Sequence, residues 1–321
     1  MLTILATLVP VFGIIFLGLL VQRLGFLPAG TAVCMNQFVY WIGLPALLFN
    51  QLARMEAGQV SGWLVSGILI SIGISLLISY AFYSRGFRRH RQENAIMAML
   101  SSFPNCAFMG LPIVILLLPD NHAAALTASL CAVLTFVVVL FTDSKLEIAS
   151  GREKASRGGV ILYILRSLTH NPLLIASALG ACVSLFRLTL PMPIAAMASM
   201  LGATASPCAL FCMGMILSAQ MTSSRGFVPG WFSRQLPIHV LKLIVQPFIL
   251  YGVLTLCGVQ GVALGVSIIV VSMPTGIAAY IIAEKYQVAT EDSSLGIVMN
   301  TALSIVTIPV SIGLMQFCGI L

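Results

Sequence analysis

The sequence predicts an all-α polytopic membrane protein of ten transmembrane helices, arranged as two inverted five-helix repeats in which helices 4 and 9 are broken and cross. Three observations predict it. Of 321 residues, 59% are hydrophobic and only 8% charged, against about 25% charged in an ordinary soluble domain, and apolar stretches of roughly 20 residues recur nearly end to end. Two of these stretches are interrupted near their middle by polar, proline-bearing segments. Pieces of the first half recur in the second at corresponding positions.

The ten spans fall at 2–22, 32–53, 61–84, 95–118, 122–142, 168–187, 193–220, 235–257, 261–284 and 292–318. Span 1 has no charged leader and its apolar run is too long for a signal-peptide core, so it is read as a spanning helix. Span 2 carries Asn36, Asn50 and Gln51, polar groups that need partners in hydrocarbon and read as interhelical glue. Span 3 opens at Trp63. Span 4 contains Ser101 to Pro112, where Pro104 has no N–H to give and clashes with the preceding turn, so the helix must break. Spans 5 and 6 flank the hydrophilic stretch from Thr142 to Gly159, rich in Lys, Arg, Glu, Ser and Gly. Span 8 places His239, Lys242 and Gln246 on one stripe at i−3, i and i+4. Span 9 contains the second interruption, Ser272-Met273-Pro274-Thr275-Gly276, and span 10 holds Asn300. The resulting division is a first repeat over 1–143, a cytoplasmic linker over 144–160 and a second repeat over 161–321.

Orientation follows from the basic residues. With the N-terminus outside, inward loops hold 13 of the 16 Lys and Arg, outward loops hold only Arg54 and Arg187, and Lys242 lies within a span. The excess of Lys and Arg in inward loops therefore places both termini extracytoplasmic, in the cell (inner) membrane. The same distribution argues against a nucleic-acid partner for the net charge of +7. The eight cysteines fall almost entirely inside the spans without paired metal-ligand spacing and read as small packing residues.

The halves match at three places. Gly43-Leu44-Pro45-Ala46-Leu47-Leu48-Phe49 aligns with Ala205-Ser206-Pro207-Cys208-Ala209-Leu210-Phe211, Trp63 with Trp231, and Ser102-Phe103-Pro104-Asn105 with Ser272-Met273-Pro274-Thr275, at offsets of 162, 168 and 170. Partners five spans apart run in opposite directions across the bilayer, which makes the repeat inverted.

Broken helices expose backbone at membrane depth, and such backbone is tolerated only against protein or a watery cavity. If Pro104 and Pro274 each start the second half of a helix, Ser102 and Ser272 lie near the caps and two positive half-helix ends converge on an anion. Asn105 and Thr275 then add hydrogen bonds. The expected binding set is Asn105, Thr275, Ser102, Pro104, Cys106, Ser272, Pro274, Gly276, Lys242 and Asn300. Lys242 is expensive inside a span; it is left open whether it binds substrate, pairs with a carboxylate or anchors a half-helix C-terminus. The alternative for the prolines is that they merely kink packed helices.

Gly43-Leu44-Pro45-Ala46-Leu47-Leu48-Phe49, Ser102-Phe103-Pro104-Asn105 through Gly110-Leu111-Pro112, Leu241-Lys242-Leu243 with Pro247, Met273-Pro274-Thr275 through Ala283 and Tyr286, and Leu303-Ser304 with Thr307-Ile308-Pro309 together resemble a bacterial member of the auxin efflux carrier family, which includes proposed malonate carriers and is related to the plant auxin exporters. The resemblance covers essentially the whole chain. It implies ten helices in two inverted repeats, a substrate site where helices 4 and 9 cross, and an elevator-like movement of one bundle against a scaffold. The expected function is secondary transport of small organic anions, mono- or dicarboxylates. The alternatives from other classes are a channel-like conduit or a membrane receptor for a small carboxylate. No H-E-x-x-H, nucleophile elbow, paired intramembrane aspartates or phosphate loop is present, so an enzyme and a nucleotide-driven pump are not expected. No cofactor is expected. The expected partners are a small organic anion, the lipid bilayer, a coupling ion whose identity is left open, and a second copy of the chain.

Overall fold

The computed structural model describes residues 2–28, 30–55, 60–86, 90–119, 121–150, 169–223 and 231–320, and these are helical apart from turns and one isolated β-bridge. In chain order the helices are α1 (Leu2–Leu24), α2 (Thr31–Ala53), α3 (Gly62–Gly86), α4 (Arg91–Ser102), α5 (Cys106–Leu117), α6 (His122–Ala149), α7 (Pro172–Leu185), α8 (Met192–Ser223), α9 (Gln235–Leu256), α10 (Gly261–Val271), α11 (Ala278–Tyr286) and α12 (Thr290–Phe317). Six of them, α2, α3, α6, α8, α9 and α12, are long and apolar enough to cross a membrane. The pairs α4–α5 and α10–α11 are each one apolar run divided where the prolines predict. Helix α6 runs on to Ala149 instead of ending at 142, so the first residues of the stretch read as linker are helical. Residues 151–168 of that stretch, and the topology-counted Arg88, Arg89 and Arg225, lie outside the described residues.

Three of the spans widen into a single π-turn: Val39–Gly43 in α2, Cys106–Gly110 at the start of α5 and Leu241–Val245 in α9. Each ends two residues before a proline, Pro45, Pro112 and Pro247 respectively. A proline ring presses on the carbonyl four residues earlier and supplies no N–H to it. The wider turn relieves that clash, and π-turns are concentrated at functional segments.

Packing separates two groups. Helix α1 lies along α8, and α2 lies along both α7 and α8; α3 packs on α4 and α9, and α6 on α10. The first group is built on glycines at points of close backbone approach. A Cβ on Gly18 would fall on the carbonyl oxygen of Phe211, one on Gly214 on that of Ile15, and one on Gly180 within 2.6 Å of that of Phe49. In the second group the half-helices α4 and α10 are buried all round, from Asn94 to Ser102 and from Leu264 to Val271. Large apolar side chains such as Leu77, Leu179, Phe248 and Val306 cover the outside, a surface suited to lipid.

The glycine contacts carry a prediction. Gly214→Ala places a methyl group on the backbone of α1, which cannot yield as a side chain can, and is expected to cost roughly 1–3 kcal/mol or more. Gly13→Ala, with nothing within 4 Å of its Cβ, is expected to be neutral. Thermal unfolding of the purified variants checks this; equal melting temperatures would mean that α1 and α8 do not meet at Gly214.

Candidate functional site

The two breaks meet. Helix α4 ends at Ser102, the chain unwinds through Phe103, Pro104 and Asn105, and α5 begins; α10 ends at Val271, and residues 272–277 lead to α11. The unwound segments run antiparallel, with Pro104 opposite Thr275. The Asn105 N–H donates to the Pro274 carbonyl at 2.8 Å and the Gly276 N–H to the Phe103 carbonyl at 3.0 Å. Each break thus supplies the backbone partner that the other has lost from its helix. A Cβ on Gly276 would lie 2.6 Å from the Phe103 ring, so any larger residue here would have to displace that ring.

Behind this pair lies a polar network that satisfies the helix ends. The last carbonyls of α4 and α10 have no helical donors of their own. The Thr275 hydroxyl donates to the Leu100 carbonyl at 2.6 Å, Gln246 Nε2 to that of Ser102 at 2.7 Å, and Lys242 Nζ to that of Val271 at 2.8 Å. An ammonium at the negative end of α10 is well placed electrostatically. Asn300 Nδ2 donates to the Thr275 hydroxyl at 2.7 Å, and Asn300 Oδ1 lies 2.8 Å from His239 Nδ1, so His239 carries the proton on that nitrogen. Thr275 and Lys242 are completely buried.

In front of the pair is a cleft of about 110 Å³. The crossing forms one wall, through Pro104, Asn105, Cys106 and Gly276 and the first residues of α5 and α11. Asn36 and Tyr40 of α2 and Thr135 and Phe136 of α6 also line the cleft. Ala107, Phe108, Ile277 and Ala278 line this cleft, and among the described residues their N–H groups have no hydrogen-bond acceptor. They are the orphan amides of two helix starts, each the positive end of a peptide dipole. The Asn36 amide and the Tyr40 hydroxyl also lack a hydrogen-bond partner among the described residues.

The ten residues singled out by sequence therefore divide. Asn105, Pro104, Cys106 and Gly276 line the cleft. Pro274 stands on the crossing with its carbonyl taken by Asn105. Thr275 and Lys242 stand behind it, holding backbone carbonyls, and Asn300 holds the Thr275 hydroxyl. Ser102 and Ser272 do not cap α5 and α11; each hydroxyl donates back to the carbonyl four residues earlier, Ala98 and Ile268, at 2.6 and 2.7 Å. A serine at the end of a helix finds that acceptor within its own turn. Of the alternatives for Lys242, the structure shows the half-helix anchor. Asn36, read as glue, instead faces the cleft, and Tyr40 and Thr135 were not anticipated. The signal for the first two was present in the sequence as polar side chains at i and i+4, one turn before the Gly43-Leu44-Pro45 bend.

Comparisons with known proteins find a transport family and transporter relatives. The family described as membrane transport protein matches residues 3–312. Over 307 residues the chain is 26% identical to a protein of Rhizobium meliloti (strain 1021) named "Putative malonate transporter", covering 93% of this chain and 92% of that one. It is 21% identical over 312 residues to "Uncharacterized transporter YfdV" of Escherichia coli (strain K12), covering 94% of each. It is also 22% identical over 306 residues to an "Uncharacterized transporter" of Methanothermobacter thermautotrophicus, covering 94% of this chain and 95% of that one.

Proposed function

This chain belongs to the membrane transport protein family, the auxin efflux carrier family, and on that premise we propose that it is a secondary carrier of small organic anions, with the substrate carboxylate held in the cleft at the crossing. Family and relatives are transporters and not enzymes, and the chain is a multi-pass membrane protein. The observation that carries the substrate reading is that two helix starts line one cleft, Ala107 and Phe108 from one and Ile277 and Ala278 from the other, with N–H groups that have no acceptor among the described residues. Neutral donors at positive helix ends select an anion without burying a second charge. The size of the cleft favours a compact mono- or dicarboxylate, and the printed name of the Rhizobium meliloti relative points to the same class. Asn36 and Tyr40, polar side chains lining the same cleft, are the candidates to take a second polar group of the acid.

The halves act as inverted repeats of five spans each, and the glycine contacts support this. Gly18 meets Phe211 and Gly180 meets Phe49; Gly180 follows Gly18 by 162 positions and Phe211 follows Phe49 by the same 162. That is also the offset of the matched segments. Helices α1, α2, α7 and α8 form the scaffold, and the broken-helix group moves against it in an elevator-like step. At the crossing, the soft contact of Asn105 Nδ2 with Met213 Sδ, 3.4 Å, reaches across to the scaffold. Soft contacts of this kind can be exchanged during movement more readily than the glycine-mediated backbone contacts within the scaffold.

Counterflow in proteoliposomes tests the function. A carrier preloaded with unlabelled dicarboxylate accumulates labelled substrate transiently; a channel conducts without counterflow, and a receptor moves nothing. Orientation is tested separately by cysteine labelling in intact cells. Engineered cysteines at the termini are expected to react with an impermeant maleimide while one at 155 is protected, and the reverse pattern would invert the topology.

A further inference from the structure

Far from the crossing, the ends of α2 and α7 are tied together by the Ser184 hydroxyl, which donates to the Met55 carbonyl. Arg54 directly follows α2 and Arg187 follows α7 by one turn residue, and both exposed side chains line one open cleft of about 470 Å³ with Ser184 and Leu188. Among the described residues neither guanidinium has a hydrogen-bond or ion-pair partner. Arg187 also holds a backbone conformation that favours glycine. Its φ is +49°, and its N–H and that of Leu188 close the end of α7 on the carbonyls of Ser184 and Val183. This is the helix-terminating turn in which glycine is usual. A side chain kept at such a position points to a use. The surface beside it is apolar: Leu185, Phe186 and Leu188 are 74%, 69% and 58% exposed.

We propose that Arg54 and Arg187 clasp the phosphate of an anionic phospholipid headgroup at the end of the α1–α2–α7–α8 scaffold. The planar donor fork of arginine matches phosphate oxygens two at a time. Cations at the end of a span lie at headgroup level, and the exposed Leu185 and Phe186 place acyl chains directly beside them. The ligand so assigned is a membrane lipid and is independent of the transported anion.

The test uses the full-length protein purified in a neutral detergent, with melting temperature followed as phosphatidylglycerol, phosphatidylcholine or inorganic phosphate is added. Phosphatidylglycerol is expected to raise the melting temperature, because a ligand of the folded state stabilises it, and phosphatidylcholine is not. In the double variant Arg54→Gln with Arg187→Gly, the phosphatidylglycerol concentration needed for half the shift is expected to rise roughly thirtyfold. Arg187→Gly relieves the left-handed backbone, so loss of the lipid response there cannot be ascribed to misfolding. Arg23→Gln, which removes an exposed cation at the end of α1, is expected to respond as the parent does. An undiminished response in the double variant, an equal effect of phosphatidylcholine, or the same shift with inorganic phosphate alone would each overturn the lipid assignment.

Discussion

Replacing Asn105 by Asp is expected to weaken carboxylate binding on the order of a thousandfold. Asn105 lines the cleft beside the free amides of α5, and Asp differs from it little in shape but adds a negative charge. At about 4 Å and an effective dielectric near 20, repulsion between two carboxylates is roughly 4 kcal/mol, which gives the stated factor. If the prolines only kinked packed helices, the change would be nearly silent, since a carboxylate serves at a helix start as well as an amide does. Binding measured on folded Asn105→Asp protein across a range of pH separates the two. Affinity is expected to return in part on acidification, while the ligand is still anionic, as the new carboxyl becomes protonated. Near-native affinity at a pH where the aspartate is ionised would leave the kink as the better account.

The second large effect is expected on stability. Thr275→Val keeps the shape of the side chain but removes a hydroxyl that donates to the Leu100 carbonyl and accepts from Asn300 Nδ2, both in fully buried surroundings. Each buried polar group left unpaired costs about 1–3 kcal/mol, so a loss of roughly 3 kcal/mol is expected from the two. Thr275→Ser, which keeps the hydroxyl, is expected to restore most of it. Thermal unfolding in detergent measures the loss, and binding to the protein that remains folded is expected to change little. The opposite pattern, native stability with lost affinity, would put the Thr275 hydroxyl on the substrate.

Sequence reasoning matched Asn105 with Thr275 through the repeat offset of 170 and so sent both to the substrate, but the two do not share an environment. The antiparallel bridge sets Pro104 opposite Thr275 and Asn105 opposite Pro274, and in extended chain neighbouring side chains point to opposite faces. Asn105 lines the cleft, whereas the Thr275 hydroxyl is taken by the Leu100 carbonyl and the Asn300 amide. A repeat offset aligns positions in sequence; it does not say which neighbours each side chain meets. The breaks themselves were legible, because a proline inside an apolar run has only a few solutions. So was the cost of Lys242. Its partner was not, since every residue offers a backbone carbonyl and only the fold decides that Val271 ends a helix within reach. The π-turns left a regular trace, a proline two residues on, that a periodicity search for regular helices passes over. The contribution of α2 to the cleft was the least legible part, because Asn36 and Tyr40 read like any polar pair on a spanning helix until the two helix starts are in place beside them.

The claim on which the account turns is that the amides of Ala107, Phe108, Ile277 and Ala278 hold the substrate's carboxylate. Nuclear magnetic resonance of the protein labelled with nitrogen-15 at these positions, titrated with a small dicarboxylate such as malonate in lipid nanodiscs, reads those groups directly. All four amide resonances are expected to move together with one saturating dissociation constant, as hydrogen bonds to the anion form, and to stay in place when a neutral diester of the same acid is added. Saturable binding of the dicarboxylate with the four resonances unmoved would contradict the account.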